Sequence, residues 1–331
     1  MIRQPPPRVL CFGEALVDRL GPPGGDPARD GPVDDRLGGA PANVACALAR
    51  LGTPAALIGR LGDDAIGAAF GRLLWERGVD TRALQRDPLR PSRIVLVKRD
   101  AGGDRSFGGF AGELGEGFAD QALDAEAMAE PLTALLSQAQ WLLIGTIPLA
   151  SPASGAALLD AVEQAATAEV PLALDLNWRP SFWPIAPALA LERIRPMLER
   201  AALLKLSAEE ADWIGAGRDP QRISLSLPQR PAVVVTDGAR GLRWWLGGQA
   251  GSLVAFPVTV VDTTGAGDAF LAGLLHGLCA DPSLLTGASV AAVGRAMRFA
   301  AACGALVCAG AGAIDPQPDE AAVETFLERA S

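Results

Sequence analysis

The chain has no tyrosine, and its only histidine is His276. Triad hydrolysis and histidine-ligated metal chemistry therefore have almost no raw material, and carboxylates must carry any acid–base work. Cysteine is scarce as well. Cys11, Cys46, Cys279, Cys303 and Cys308 are scattered, with no CxxC pair to hold zinc and too few residues for a disulfide framework, which fits a reducing cytoplasm. Positive charge is in deficit: 29 Lys and Arg face 38 Asp and Glu, for a formal charge of −9. Polyanion recognition needs a clustered basic excess, so nucleic acid is not an expected partner. The opening MIRQPPPRVL lacks the apolar segment and cleavage site of an export signal. The uncharged stretch Phe299–Ile314 is mostly Ala and Gly and falls short of the roughly 20 residues that span a bilayer. It reads as a buried helix and the turn after it, and no membrane partner is expected.

What is present is apolar material, 49% of 331 residues, ample for two ordinary domains or one large α/β unit. From about residue 40, short apolar runs alternate with amphipathic stretches, the pattern of β-α units around a mainly parallel sheet. Expected strands are Val9–Gly13, Ala56–Gly59, Trp141–Ile144, Leu172–Leu176, Leu203–Leu206 and Ala232–Thr236, all covered on both faces. DAIGAAFGRLLWERG and GAALLDAVEQAATAE repeat apolar residues at helical spacing. A hairpin is expected from Leu242–Leu246 and Leu253–Phe256, then helices around 266–280 and 286–309 and a short terminal helix. Glu116–Ala129 reads as a surface helix. Two regions break the rhythm. Glu14–Leu37 is rich in Gly, Pro and Asp, and Arg93–Phe110 reads as a β pair around the turn AGGD. Long irregular insertions in compact α/β domains are usually functional, and these two are expected to form a small β flap over the strand ends.

The most informative segment is VVDTTGAGDAFLAGLL, residues 260–275. A β-like run ends in Asp262-Thr263-Thr264, and Gly265-Ala266-Gly267-Asp268 leads straight into an apolar helix. Two glycines let backbone amides converge, and the helix start adds positive potential, so the turn can hold an anion. A carboxylate on an anion site makes sense if Asp268 faces a substrate hydroxyl while the amides face a phosphoryl group in transfer. A helix N-terminal cap is the plainer role for the same aspartate. The chain has neither GxxxxGK[ST] nor a GxGxxG opening its first β-α unit, so a nucleotide must bind in some other way.

Other segments carry polar groups at suggestive places. In LGGAPANVACALARLG, Gly38 and Gly39 permit close approach of a ligand and Asn43 offers a donor and an acceptor to a polyol, although Gly-Gly also makes an ordinary turn. Asp18, after the first strand, reads equally as a hydroxyl acceptor or a solvated loop acid. In ALDLNWRPSFWP, the alternation of Asp175, Asn177 and Arg179 on an extended chain would put all three on one side of a strand end, where a guanidinium suits phosphate oxygens. In LLKLSAEEADWIG, Ser207 and Glu210 form a capping box that could also reach Mg²⁺ through water. VVVTDGARGLRWW ends a strand in Thr236-Asp237-Gly238, with Gly241 following, a phosphate-friendly turn.

In this order and at this spacing, the segments resemble the ribokinase (PfkB) family of carbohydrate kinases over residues 8–320. The resemblance implies a three-layer α/β/α fold with a mainly parallel sheet, one domain over 1–331, and a small β lid from segments at about 14–37 and 93–112. In that family such a lid closes over the sugar and often dimerises. It implies that Asp268 is the catalytic base and that the amides of Gly265, Ala266, Gly267 and Asp268 form the anion hole. Asp18, Gly38, Gly39, Asn43 and Arg179 would contact the sugar, and Ser207, Thr236, Gly238, Gly241 and Thr264 the nucleotide side. Glu210 would serve Mg²⁺, and a potassium site would lie near Asp262 and Thr264. GGAPANVA and DLNWRP are most similar to fructokinases. Ser207 stands where the family's NxxE asparagine is expected, the lid lacks an arginine common after its aromatic pair, and Ala301 replaces a nucleotide-side asparagine. The expected activity is ATP-dependent phosphorylation of a primary hydroxyl of a free sugar, with fructose foremost. Ribose or 2-keto-3-deoxygluconate as acceptor, or a silent binding relative, are the alternatives. A nicotinamide dehydrogenase lacks its glycine fingerprint.

Overall fold

Strands made wholly of apolar residues are stable only between two covered faces. The computed structural model, which describes residues 5–100, 105–113, 115 and 117–330, is built on such strands. The chain begins with β1 (Val9–Phe12), crosses into β2 (Leu16–Pro23) and β3 (Asp34–Gly38), and returns through α1 (Ala40–Arg50), β4 (Ala55–Gly62), α2 (Ala65–Arg77) and β5 (Leu84–Asp87). A second excursion makes β6 (Ile94–Arg99) and β7 (Arg105–Ala111). Then follow α3 (Ala125–Leu136), β8 (Trp141–Ile144), α4 (Pro152–Thr167), β9 (Leu172–Asp175), α5 (Pro187–Arg200) and β10 (Leu203–Ser207). After α6 (Ala208–Trp213) and α7 (Pro220–Ser226) come β11 (Ala232–Thr236), β12 (Leu242–Leu246) and β13 (Gln249–Leu253). Helices α8 (Ala266–Ala280), α9 (Val290–Cys308) and α10 (Glu320–Arg329) end the chain.

The main sheet has nine strands in the order β13-β12-β11-β10-β9-β8-β1-β4-β5 and is parallel from β11 to β5. Alternation along β1 sends Val9 and Cys11 into a core shared with α1, α2 and α8 to α10, and Leu10 and Phe12 into one shared with α3 to α7. Two cores on opposite faces of one sheet make the three-layer α/β/α architecture. The two expected insertions pair with each other as a separate four-stranded sheet, β3-β2-β6-β7, in which β2 runs parallel to β6. The AGGD turn, residues 101–104, lies outside the described residues.

Three local expectations are corrected. The second hairpin strand is Gln249–Leu253, four residues earlier than hydrophobicity indicated, because Gly247 and Gly248 both adopt positive φ and close a two-residue turn that starts pairing at once. Glu116–Ala129 is not a surface helix: within its described part a short 3₁₀ turn, Ala119–Gln121, precedes α3, whose cap is Asp124, and Phe118, Ala119 and Met128 are buried. Asp175, Asn177 and Arg179 do not alternate along one extended strand, since β9 ends at Asp175 and Asn177 turns to φ +39. Helix α9, 19 residues with mean hydropathy 1.5, is long and apolar enough to cross a bilayer, yet it lies along α8, where Gly273 fits against Ala300 and Cys303.

Candidate active site

The sheet's strand ends and the small sheet enclose a cleft of about 490 Å³. Asp268 stands on its floor in the first turn of α8. Gly265 adopts φ +78 to turn the chain into the helix, and a Cβ there would fall 2.5 Å from Ala313, so glycine is required. Asp262 braces the turn from behind. Its Oδ1 accepts from Thr264 N at 3.0 Å and Thr264 Oγ1 at 2.7 Å, and its Oδ2 accepts from Gly312 N at 2.9 Å. The amides of Gly267 and Asp268 belong to the first turn, with no carbonyl a full turn behind them inside the helix, whereas Ala266, expected as an anion-hole amide, is corrected: its N–H donates to Thr263 O at 3.3 Å. The result is an anion-accepting turn with a carboxylate beside it.

Asp268 Oδ2 accepts from Asn43 Nδ2 at 2.8 Å, joining the start of α1 to the start of α8. Burial, then repulsion from Asp175, raises the Asp268 carboxyl above the ordinary range, partly offset by Lys205, Asn43 and Arg179. Lys205, on β10, is 8% exposed and lies 2.9 Å from both oxygens of Asp175. Burial would neutralise it, but Asp175, Glu210 and Asp268 outweigh that and raise its pKa, so it stays charged. A Cβ on Gly267 would be 3.2 Å from its Nζ, which puts the ammonium directly beside the anion turn.

Asp18, Gly39, Asn43, Arg179, Asp262, Thr264, Gly265, Gly267 and Asp268 all line this one cleft. Asp18 comes from β2 rather than from a loop, and Gly38 lies behind it, where a Cβ would approach Asp18 Oδ2 to 3.1 Å. Arg179 is solvent-exposed, its Nη1 donating to the Trp178 carbonyl at 3.1 Å. Ser207 and Glu210 make the full capping box, and Glu210 is committed twice over: Oε1 accepts from Trp178 N at 2.6 Å and Oε2 from Ser207 N at 2.7 Å. Thr236 ends β11 and Gly238 opens the turn after it. Their neighbours Val235 and Asp237, with Gly241, line a second cleft of about 420 Å³ together with Arg218, Arg240, Arg243 and Val254.

Residues outside the motif reading also line the first cleft, notably Glu14, Arg36 and Lys205, with Val95, Val97 and Phe107 of the small sheet above. Lys205 had a signal, a lone charge in the apolar strand LLKLS. Arg36 pairs with Asp34 at 2.8 Å and Asp315 at 3.5 Å, contacts that sequence spacing does not reveal. The small sheet is anchored by Arg93, whose guanidinium pairs with buried Asp120 at 2.8 and 3.0 Å and stacks over Phe110, Phe118 and Phe182. Among the described residues there is no group of three or more His, Cys, Asp or Glu able to hold a metal.

A family profile described as pfkB family carbohydrate kinase matches residues 6–320. Probable fructokinase-6, chloroplastic, of Arabidopsis thaliana is 34% identical over 332 residues, covering 99% of this chain and 84% of the relative. Among solved structures, fructokinase with bound ATP from Xylella fastidiosa superposes with a TM-score of 0.83 at 29% identity, covering 97% of this chain and 98% of that one. Fructokinase from Vibrio cholerae O395 in a fructose-, ADP- and calcium-bound form gives 0.79 at 31% identity, covering 97% and 99%. A double mutant of that protein is described in a potassium-bound form.

Proposed function

As a member of the pfkB family of carbohydrate kinases, the chain is an ATP-dependent sugar kinase, and we propose that its acceptor is free fructose, phosphorylated on a primary hydroxyl by Asp268 acting as base. The observation that carries the reading is the Asp268–Asn43 hydrogen bond at 2.8 Å, which fixes a carboxylate between the anion turn and a pocket of hydroxyl-binding groups. Asp268 removes the hydroxyl proton as the oxygen attacks the γ-phosphorus in line, and the amides of Gly265, Gly267 and Asp268 receive the charge of the group in transfer. Lys205 adds a fixed positive charge beside them. Nucleotide would enter from the side of Thr236, Gly238 and Gly241, and sugar from the side of Asp18, Gly39 and Asn43. The fructose assignment draws on the fructokinase relatives and on GGAPANVA and DLNWRP.

Magnesium bound with the nucleotide would neutralise its β and γ oxygens. Glu210 would hold it through water, because both of its oxygens already accept backbone N–H groups and keep only their second lone pairs free for such bridges. A potassium ion behind the turn, near Asp262 and Thr264, belongs to the same proposal and finds support in the potassium-bound relative. A coupled assay over hexoses, pentoses and sugar acids tests the acceptor. Fructose should give the highest kcat/KM, and activity confined to sugar phosphates or nucleosides would overturn it. Running that assay in potassium, sodium and tetramethylammonium buffers tests the monovalent ion, with equal rates counting against it.

Asp18→Ala and Asn43→Ala are each expected to raise the sugar KM by about 3- to 30-fold while leaving that for ATP nearly unchanged, the cost of losing one hydrogen bond to a bound hydroxyl. Unchanged sugar KM in both variants would move the acceptor to another part of the molecule.

A further inference from the structure

We propose that Glu14 contacts the bound sugar, holding α1 with one carboxyl oxygen and an oxygen of the acceptor with the other. The proposal rests on the reading of the 490 Å³ cleft as the acceptor site. Glu14 follows β1 across Gly13, is 3% exposed, and nonetheless lines that cleft. Its Oε1 accepts from Ala40 N at 3.1 Å, capping a helix whose own N-cap, Gly39, has no side chain to do so. Its Oε2 is buried with no hydrogen-bond partner among the described residues. Asn43 Oδ1 is in the same condition, because its amide nitrogen is committed to Asp268. Two orphaned oxygens on residues that line one cleft at the head of α1 call for a ligand that hydrogen-bonds at both, since buried polar atoms are satisfied in nearly all folded proteins.

The two atoms ask for different things. Asn43 Oδ1 can only accept. The charged groups that bear on Glu14 are Asp120, itself held by Arg93, and Asp268, which lies beside Lys205. Burial first, and then these two acids, push the Glu14 carboxyl up to about 8, so near neutral pH it keeps its proton. With Oε1 receiving the Ala40 amide, the proton sits on Oε2 and makes it a donor. Asp18 and Asp268 line the same cleft as acceptors, so Glu14 supplies the donor that a hydroxyl or ring oxygen of the sugar needs. A role limited to capping α1 would use Oε1 and leave the second oxygen with nothing to do.

Glu14→Gln keeps the capping oxygen and replaces the acid proton by an amide that donates at every pH. Its sugar KM is expected within about 3-fold of the parent and flat from about pH 6.5 to about pH 9, whereas the parent's rises several-fold as the carboxyl ionises above about 8. Glu14→Leu should raise the sugar KM by about 10-fold or more and the ATP KM by less than about 2-fold. Should the leucine variant not fold, the pH comparison between Gln and the parent decides alone. Identical pH dependence of the sugar KM in parent and Gln variant overturns the proposal, as does a leucine variant that shifts both KM values equally. If Asp18→Ala and Asn43→Ala raise the sugar KM while the Glu14 variants do not, only the role of Glu14 fails. If none of the four does, the acceptor site itself has been misplaced.

Discussion

Asp268→Asn is expected to lower kcat by about 10²- to 10⁴-fold while ATP affinity changes little. The substitution deletes the base and leaves the anion turn intact, because Gly265 φ and the Asp262 brace do not depend on the Asp268 carboxylate. Asparagine can still hydrogen-bond Asn43, so the junction between α1 and α8 should persist. The sign of the stability effect follows from the raised carboxyl. A group whose folded pKa lies above its unfolded value is ionised at a cost in the native state, and that cost is present at any pH above the folded value. Removing it should leave Tm unchanged or slightly higher at neutral pH. The parent's rate should fall as pH drops through the raised Asp268 pKa, giving an acid limb above the ordinary aspartate range, and the residual rate of the variant should lack that limb. A folded Asp268→Asn protein with near-normal turnover would reduce Asp268 to a residue of the helix start.

The contrast between what the sequence disclosed and what it hid has a physical origin. GAGD was readable because an anion turn is local: the glycines, the helix start and the aspartate lie within four residues. The small sheet was readable as a pair of interruptions in a regular β-α pattern, and its pairing then followed. Local signals failed where a distant residue decides. Nothing around Asn177 announces φ +39, and Asp175 turns out to serve Lys205, 30 residues away on the next strand. Glu14 looks like any acid after a strand until α1 brings Ala40 N onto it. The polar strand Gln249–Leu253 was missed because an edge strand facing solvent needs no apolar face, so hydrophobicity drew the expected strand toward the exposed valine at 254 instead. For Asp175 and Glu14 the side chain's task is set by a contact far away in sequence, which neither periodicity nor a short motif encodes.

Lys205→Met should cost both stability and turnover, and the two losses should separate. Lys205 and Asp175 are 8% and 3% exposed, and methionine leaves the aspartate as a buried charge without its partner, a change that typically destabilises by about 3–5 kcal/mol. Adding Asp175→Asn removes that charge, so the double variant should recover most of the lost Tm. It should not recover the rate. Lys205 Nζ lies beside the Gly267 end of the anion turn, and removing one preorganised positive group there is expected to lower kcat by about 10²-fold in the single and double variants alike. The pH profile supplies a third reading. Lys205 lowers and Asp175 raises the Asp268 pKa, so the single variant loses the former and keeps the latter, and its acid limb should move to higher pH. The double variant loses both influences, and because Asp175 is the stronger of the two its limb should lie at or below the parent's. Recovery of full turnover along with Tm in the double variant would make the pair a structural element only, and would leave the backbone amides to stabilise the transferring group without a lysine.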